Sequence, residues 1–420
     1  MRDLLLEKFF ESHRWEKALD VGVGKGISKS ELRALTAPEV RLAMYRCIRD
    51  NQYLIAPPHQ AKIPKENGDF RIVYINENVD RIFLSIVNDM LFELFPEMIH
   101  PQCKSYQTGI GCGKVVQEVS SRIQRSHRTE IGIKADLSKY FDSVPLKLID
   151  EIFNKIEQKV GHSKIIDIVR KYYHTDLCFD IEGNLIEHYQ SLKQGCAVAS
   201  FLADALLYDI DSLLTTMSSY YVRYSDDLLI IDDYWETNQM ILKEMLNEKG
   251  LTLNPKKVEV LHKDKFFKFL GFNIKNDMIT LSKSRLKSFQ KEIESRTIKQ
   301  HKTTQTKAVN SVQNYLYKGD GTYSWATSVL PIINVQKDID TLNEFVLDCI
   351  RACATGKKKV GGLGSVNDKP DYTILRGTGK NVAANRMKTE KEIAGYYSIR
   401  CMQNALLTNR AVYETLVRQM

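Results

Sequence analysis

Near the middle of the chain, Tyr224-Ser225-Asp226-Asp227 interrupts two apolar runs, Tyr220-Tyr221-Val222 before it and Leu228-Leu229-Ile230-Ile231 after it. Runs of this kind read as two strands of a buried hairpin with the acidic pair at its tip. Two adjacent carboxylates in that position are costly unless something cationic meets them. A pair of divalent metal ions meets that need. The plainer reading of this segment alone is an Asp pair helping a turn, since Asp is favoured there for its local hydrogen bonds.

A second acidic site tips the balance. In Ile131-Gly132-Ile133-Lys134-Ala135-Asp136, the residues Ile131, Ile133 and Ala135 alternate as in a strand with one buried face, and Asp136 falls where that strand is expected to end. Two strands that present carboxylates at the same end of one sheet make a metal-binding constellation. Two-metal nucleotidyl transfer needs this arrangement, with ions roughly 3.5–4 Å apart, one activating the attacking oxygen and one steadying the leaving group.

The order of further segments resembles the reverse transcriptase family, particularly the bacterial group II intron and retron types and, among them, the defence-associated enzymes. Asp136 with Phe141-Asp142-Ser143 resembles the family's first catalytic motif, and Gln194-Gly195-Cys196-Ala197-Val198-Ala199-Ser200 resembles the template- and nucleotide-binding motif. Tyr224-Ser225-Asp226-Asp227 matches Tyr-x-Asp-Asp, Phe269-Leu270-Gly271-Phe272 resembles the primer grip, and Ile63-Pro64-Lys65-Glu66-Asn67-Gly68-Asp69-Phe70-Arg71 matches a fingers motif. The resemblance covers roughly residues 55 to 285. Two departures stand out: Phe201 follows Ser200 where many members carry Pro, and Lys193 replaces the usual Pro before Gln194.

The resemblance implies an α+β right-hand polymerase with an antiparallel palm sheet and a helical C-terminal region. Its expected parts are an N-terminal helical extension (1–54), fingers (55–130), a palm with interleaved fingers helices at about 146–200 (131–280), a thumb (281–355) and a basic C-terminal extension (356–420). It implies catalytic and metal-binding roles for Asp136, Asp226 and Asp227, with the Leu137 backbone as a further metal ligand. Lys65, Arg71, Phe141, Gln194, Tyr224 and Lys257 are the implied nucleotide-binding residues, and Phe269, Leu270 and Gly271 the implied primer grip. Within that set Lys65 and Arg71 clamp the triphosphate, for which an Arg fork is suited. Phe141 stands under the sugar, where a ring excludes a 2′-hydroxyl, and Lys256 or Lys257 protonates the leaving pyrophosphate. Surface, core and solvated positions respectively are the ordinary readings of the same residues.

Composition bounds the partners. The net charge of +8 is unevenly spread: residues 281–420 carry 23 Lys and Arg against 12 Asp and Glu, so the whole basic excess lies in the last third. A polyanion held chiefly there is the natural inference, with binding that weakens as salt rises. No apolar run approaches a membrane span, and Met1-Arg2-Asp3-Leu4 followed by Glu7 lacks a signal peptide's apolar stretch, so a cytoplasmic protein without membrane partners is expected. The eight cysteines form no C-x-x-C pair, and Cys349 and Cys353 share a helical face without a second ligand pair, which argues against zinc. Thr108-Gly109-Ile110-Gly111-Cys112-Gly113-Lys114-Val115 misses a Walker loop at both ends, Gly22-Val23-Gly24-Lys25-Gly26 reads as a loop, and Gly356–Gly364 reads as a boundary.

Along the rest of the chain, residues 1–50 and 146–175 read as helical. A helix after Gly195 carries Phe201, Leu202, Leu206, Leu207 and Ile210, and the amphipathic helix 235–249 ends at Gly250. Residues from Leu251 to Val260 read as strand-like, and helices dominate from about 281.

The function expected is RNA-directed DNA synthesis with Mg2+ (or Mn2+), using dNTPs and an RNA template and giving a DNA product. Among defence-associated relatives the template is a dedicated non-coding RNA and the role is anti-phage. Template-independent or protein-primed DNA synthesis, for which 20 tyrosines offer hydroxyls, and a catalytically inactive RNA-binding maturase or scaffold are the competing expectations.

Overall fold

The computed structural model describes residues 2–21, 26–65, 69–107, 109–300, 303–319, 323–355, 393 and 395–419. Most of the Gly22–Gly26 break, the centre of the Ile63–Arg71 motif, Thr108, the Gly356–Gly364 boundary and most of the C-terminal extension therefore lie outside the described residues. The chain forms two compact units, Met1–Gln107 with Gly132–Val260 and Thr108–Ile131 with Leu261–Met420. The fold is α+β with largely antiparallel sheets; among the described residues one strand pair, His59–Pro64 with Leu177–Phe179, meets in parallel.

In the first unit, four helices (Leu4–Phe9, Ser12–Val21, Lys29–Leu35, Pro38–Arg49) occupy the N-terminal stretch read as helical. The strands of the two sheets are β1 (His59–Pro64), β2 (Phe70–Ile75), β3 (Glu130–Asp136, in this unit from Gly132), β4 (Leu177–Phe179), β5 (Leu185–Glu187), β6 (Tyr220–Tyr224), β7 (Asp227–Ile231) and β8 (Glu259–His262, in this unit to Val260). One sheet has the order β2-β1-β4-β5, with β1 and β2 antiparallel from His59↔Ile75 to Pro64↔Phe70 and β4 meeting β1 in parallel at His59↔Phe179. The other has the order β6-β7-β3-β8.

Alternation sorts the residues of the second sheet between two faces, and both are buried, since Val222 and Leu229 on the opposite face are as inaccessible as their neighbours. Ile133 and Ala135 of β3, Leu228 and Ile230 of β7 and Tyr221 of β6 join one buried cluster. Phe83 and Val87 of the helix Asn78–Leu94, Ile149 and Phe153 of Leu146–Val160, and Phe201 and Leu202 of Ala199–Ala205 complete it. The single helix expected after Gly195 is two, Ala199–Ala205 and Tyr208–Met217, broken at Leu206-Leu207. The helix Trp235–Glu248 ends in a Schellman motif: Gly250 at φ 71° lets the Leu251 N–H reach Leu246 O (2.8 Å) and its own N–H reach Asn247 O (2.9 Å).

Beyond it, the stretch read as strand-like is split by a 3-10 turn, Pro255–Lys257, before β8 begins.

In the second unit, β9 (Phe267–Phe269), β10 (Phe272–Lys275) and β11 (Met278–Leu281) form a three-stranded antiparallel sheet on which the helix Cys112–Arg125 packs. That helix buries Val115, Val116, Val119 and Ile123. Phe269-Leu270-Gly271-Phe272, whose letters also fit an apolar strand, is a two-residue hairpin turn. Leu270 (φ 47°) and Gly271 (φ 81°) both take left-handed backbone, as a tight hairpin requires. Helices dominate from Lys283 onward, with Phe289 against Trp325 (ring centroids 4.5 Å apart) in their core. All eight cysteines are free thiols, and no helix among the described residues is long and apolar enough to cross a membrane.

One backbone contact fixes the central strand. A Cβ at Gly132 (φ 151°) would lie 1.9 Å from Ile230 O, so only glycine lets β3 lie on β7 there. Gly132→Ala is expected to lower the unfolding free energy by more than about 2 kcal/mol. Urea titration followed by circular dichroism checks this; an unchanged midpoint contradicts it.

Candidate active site

The register of the β6-β7-β3 ladder brings the acidic residues together. Asp136, the last residue of β3, pairs with Asp227, the first of β7, and Asp227 pairs in turn with Tyr224, the last of β6. Ser225 and Asp226 form the intervening turn, with Ser225 in left-handed backbone at φ 58°, a conformation that costs a non-glycine residue and collects at functional sites. The Leu137 N–H donates to Asp226 O at 3.1 Å, tying the turn to the end of β3. Asp136 is buried and Asp226 and Asp227 are half-buried.

Crowding like charges out of water raises their proton affinity. Burial, then the charge of Asp136, pushes the Asp226 carboxyl up. Burial, then Asp226 and Asp136, pushes Asp227 up to about 6. The cation that answers them is Lys257, whose Nζ donates to both carboxylate oxygens of Asp136 at 2.9 Å. It is delivered by a segment zipped to the end of β3. Ser138 N–H donates to Thr252 O (2.8 Å), Asn254 N–H donates to Asp136 O (2.8 Å), and Leu253 bridges Leu137. The Asn254 side chain caps the short turn Pro255–Lys257 by accepting from Lys256 N–H. Partial burial opposes the charge on Lys257, but its bonds to Asp136 and the nearby Asp226 and Asp227 outweigh that and raise its pKa.

An all-oxygen, anionic donor set suits a hard divalent cation. Among the described residues, the three-residue group whose ligand atoms lie close enough to hold one ion is instead Glu157, His162 and Asp167. A single ion held by all three aspartates needs a closer cluster. The ammonium on Asp136 answers part of the negative charge gathered there.

Beneath the turn lies a network that sequence reasoning missed. Arg223 is fully buried and donates from Nε and Nη2 to Asp211 (2.7 and 2.6 Å), from Nη2 to Asp204 O (2.9 Å) and from Nη1 to Ser225 O (3.2 Å). Asp204 accepts from Ser105 Oγ at 2.6 Å, and Tyr221 donates its hydroxyl to Asp211 at 2.7 Å. A buried bidentate pair thus holds the carbonyl of the residue before Asp226. The available signal was an Arg inside the apolar run Tyr220–Tyr224, with Asp204 and Asp211 seven apart among the Leu and Ile of a helical stretch.

The remaining expected residues divide into two groups. Arg71 lies on β2 paired with Ile63, and Lys65 follows β1; both act electrostatically on Asp142, and Arg71 also on Asp226. Phe141 sits half-buried in the short helix Tyr140–Ser143 and presents its carbonyl to Leu192 N–H (3.1 Å), while Gln194 accepts from Tyr74 N–H (2.7 Å) through its own carbonyl. Phe269, Leu270 and Gly271 belong to the second unit, where the Arg285 guanidinium lies 4.2 Å from the Phe272 ring centre and donates to Leu270 O (3.3 Å).

The chain matches one family model and, at low identity, two known proteins. Residues 63–274, half of the chain, match the family model described as reverse transcriptase (RNA-dependent DNA polymerase). The chain is 22% identical over 254 residues to the retron Ec48 reverse transcriptase of Escherichia coli, covering 57% of this chain and 58% of that protein. It is 21% identical over 168 residues to a putative COX1/OXI3 intron 2 protein of Saccharomyces cerevisiae, covering 40% of this chain and 19% of that one. In neither does the match span two thirds of the relative. Among solved structures, apo telomerase of Candida tropicalis truncated from its C-terminal domain matches at 14% identity with a TM-score of 0.41, over 61% of this chain and 60% of that one.

A carboxyl whose proton is held more tightly in the native than in the unfolded chain costs stability that grows as pH rises from the ordinary carboxylate range through its native pKa. For Asp227 that window ends at about 6. Asp227→Asn is therefore expected to melt about 2–4 °C higher than wild type in metal-free buffer near pH 7.5, the gain vanishing toward about pH 4. A lower or equal melting temperature at the higher pH contradicts the assignment.

Proposed function

Because the chain belongs to the reverse transcriptase (RNA-dependent DNA polymerase) family, we propose that it is an RNA-directed DNA polymerase that extends a 3′-hydroxyl with deoxynucleotides. The observation that carries this reading is the pairing of Asp136 with Asp227 across β3 and β7, with Asp226 on the adjoining turn. Asp136 and Asp226 would hold divalent cations, with Asp227 and the Leu137 backbone completing the site. Magnesium, or manganese in its place, would supply Lewis-acid activation of the attacking oxygen and neutralise the leaving pyrophosphate.

The chain's own residues do the rest. Lys65 and Arg71 bind and orient the triphosphate; both act electrostatically on Asp142, and Arg71 on Asp226 as well, which supports their placement near the acidic site. Phe141 packs beneath the sugar, Gln194 and Tyr224 border the nucleotide, and Phe269-Leu270-Gly271 grips the primer. As the 3′-hydroxyl gives up its proton to solvent and its oxygen bonds to the α-phosphorus, the bond to pyrophosphate breaks and Lys257 gives a proton to the leaving group. Its raised pKa keeps it charged for that role. The template is a dedicated non-coding RNA, the setting is cytoplasmic anti-phage defence, and the basic excess of residues 281–420 is suited to holding that RNA.

Primer extension on an RNA template tests the reading. Asp226→Ala is expected to lose incorporation by at least about a thousandfold with its melting curve intact; undiminished extension removes the assignment. Phe141→Ala is expected to admit ribonucleotides, and an unchanged sugar preference returns that ring to a packing role. Sequencing nucleic acid recovered with the wild type and with Asp226→Ala decides the template: an enriched small RNA and its DNA copy support this reading. Random DNA, or DNA joined to a tyrosine, supports untemplated or protein-primed synthesis instead.

A further inference from the structure

Lys193 is 1% exposed, and a buried lysine whose hydrogen bonds go to a backbone carbonyl and an amide rather than to a carboxylate needs another reason to be there. Its Nζ donates to Thr175 O (2.7 Å), just past the C-terminus of the helix Lys164–Tyr173, and to Gln190 Oε1 (3.1 Å). It also lies 4.8 Å from the centre of the Tyr172 ring. An ammonium has three donors; here two oxygens and a ring face receive them, and the end of a helix adds negative potential. Gln190 continues the stitching by donating to Asp176 O (3.3 Å) and Leu177 O (3.1 Å) at β4.

The segment held this way is strained and lies against proposed nucleotide-binding residues on both sides. Ser191 (φ 46°) and Lys193 (φ 50°) are both left-handed without being glycine, which persists only where the surroundings over-determine the backbone. On one side, Leu192 N–H donates to Phe141 O (3.1 Å) and Ser191 Oγ donates to Val144 O (2.9 Å). On the other, Gln194 O accepts from Tyr74 N–H (2.7 Å), and a Cβ on Gly195 would stand 2.7 Å from Tyr74 O. Tyr74 is on β2, three residues along from Arg71.

We propose that Lys193 is a positioning residue for the nucleotide site: its ammonium, clamped between Thr175 O, Gln190 and the Tyr172 ring, sets the loop Ser191–Cys196 and through it the placement of Phe141 and of the strand that bears Arg71. The inference rests on the polymerase reading above and adds to it the residue that tunes affinity for the incoming nucleotide and choice of sugar without touching either. The ammonium's surroundings also make it titratable within reach of neutral pH. Burial brings Lys193 down to about 8, against the opposing influence of Cys196, Asp176 and Cys178.

Steady-state incorporation with full-length protein on an RNA template tests this. Lys193→Met is expected to raise the KM for dNTP at least about fivefold and to weaken discrimination against ribonucleotides, with kcat within about twofold of wild type. Lys193→Arg, which keeps the charge, is expected to recover most of that loss. A folded Lys193→Met with wild-type KM and sugar choice overturns the proposal, as does a loss confined to the fraction of folded protein. Should Lys193→Met not fold, the wild-type profile decides: a KM that climbs as pH passes through about 8 supports the clamp, and a flat KM across that range overturns it. Wild-type protein inactive on every template-primer would strike the polymerase reading itself, a result distinct from active protein indifferent to Lys193.

Discussion

Three carboxylates gathered at one end of the β6-β7-β3 ladder repel one another, and the surrounding backbone holds them together against that repulsion. Asp136, Asp226 and Asp227 are brought together by strand register rather than by any attraction between them. The consequence is visible in the raised proton affinities of Asp226 and Asp227 and in the lysine drawn onto Asp136. A fold that tolerates such a cluster must fix it by interactions elsewhere, because the cluster by itself costs stability.

Those interactions lie on both sides of the turn. Below it, the buried Arg223–Asp211 pair joins the helix Tyr208–Met217 to β6 and holds the Ser225 carbonyl. Removing one partner of such a pair leaves an uncompensated buried charge, typically a loss of about 3–5 kcal/mol, so the pair and the strained turn stand or fall together. Beside it, Leu137 N–H on Asp226 O and Asn254 N–H on Asp136 O extend the ladder past the end of β3 and carry Lys257 into place. Rigid backbone positioning of this kind suits the proposed chemistry, in which the protein contributes geometry and charge.

Much of this was legible in the sequence, for a physical reason. Alternation in Ile131–Asp136 is a period-2 signal, the two segments around Tyr224–Asp227 are short unbroken apolar runs of strand length, and a carboxylate at the end of each is conspicuous because apolar strands rarely carry one. What stayed hidden depends on contacts far apart in sequence. Asp204 and Asp211 read as helix-face anomalies until Arg223 is seen between them, and Lys193 read as a departure from a familiar motif until Thr175, Gln190 and Tyr172 closed around it. The break at Leu206-Leu207 and the turn at Leu270-Gly271 were hidden because apolar letters do not by themselves distinguish strand, helix and turn. The compact units follow packing: the helix Cys112–Arg125 lies on β10 and β11, more than 140 residues later in the chain, and motif order carries no trace of that.

The central claim is that the acidic end of the β6-β7-β3 ladder holds divalent cations against a nucleotide's phosphates. Counting bound Mn2+ by electron paramagnetic resonance, in protein saturated with template-primer and a non-reactive dNTP analogue, tests it most directly. The account predicts about two ions per chain, at least one of them lost in Asp226→Ala. Binding that is absent in wild type, or equally strong in that variant, would contradict it.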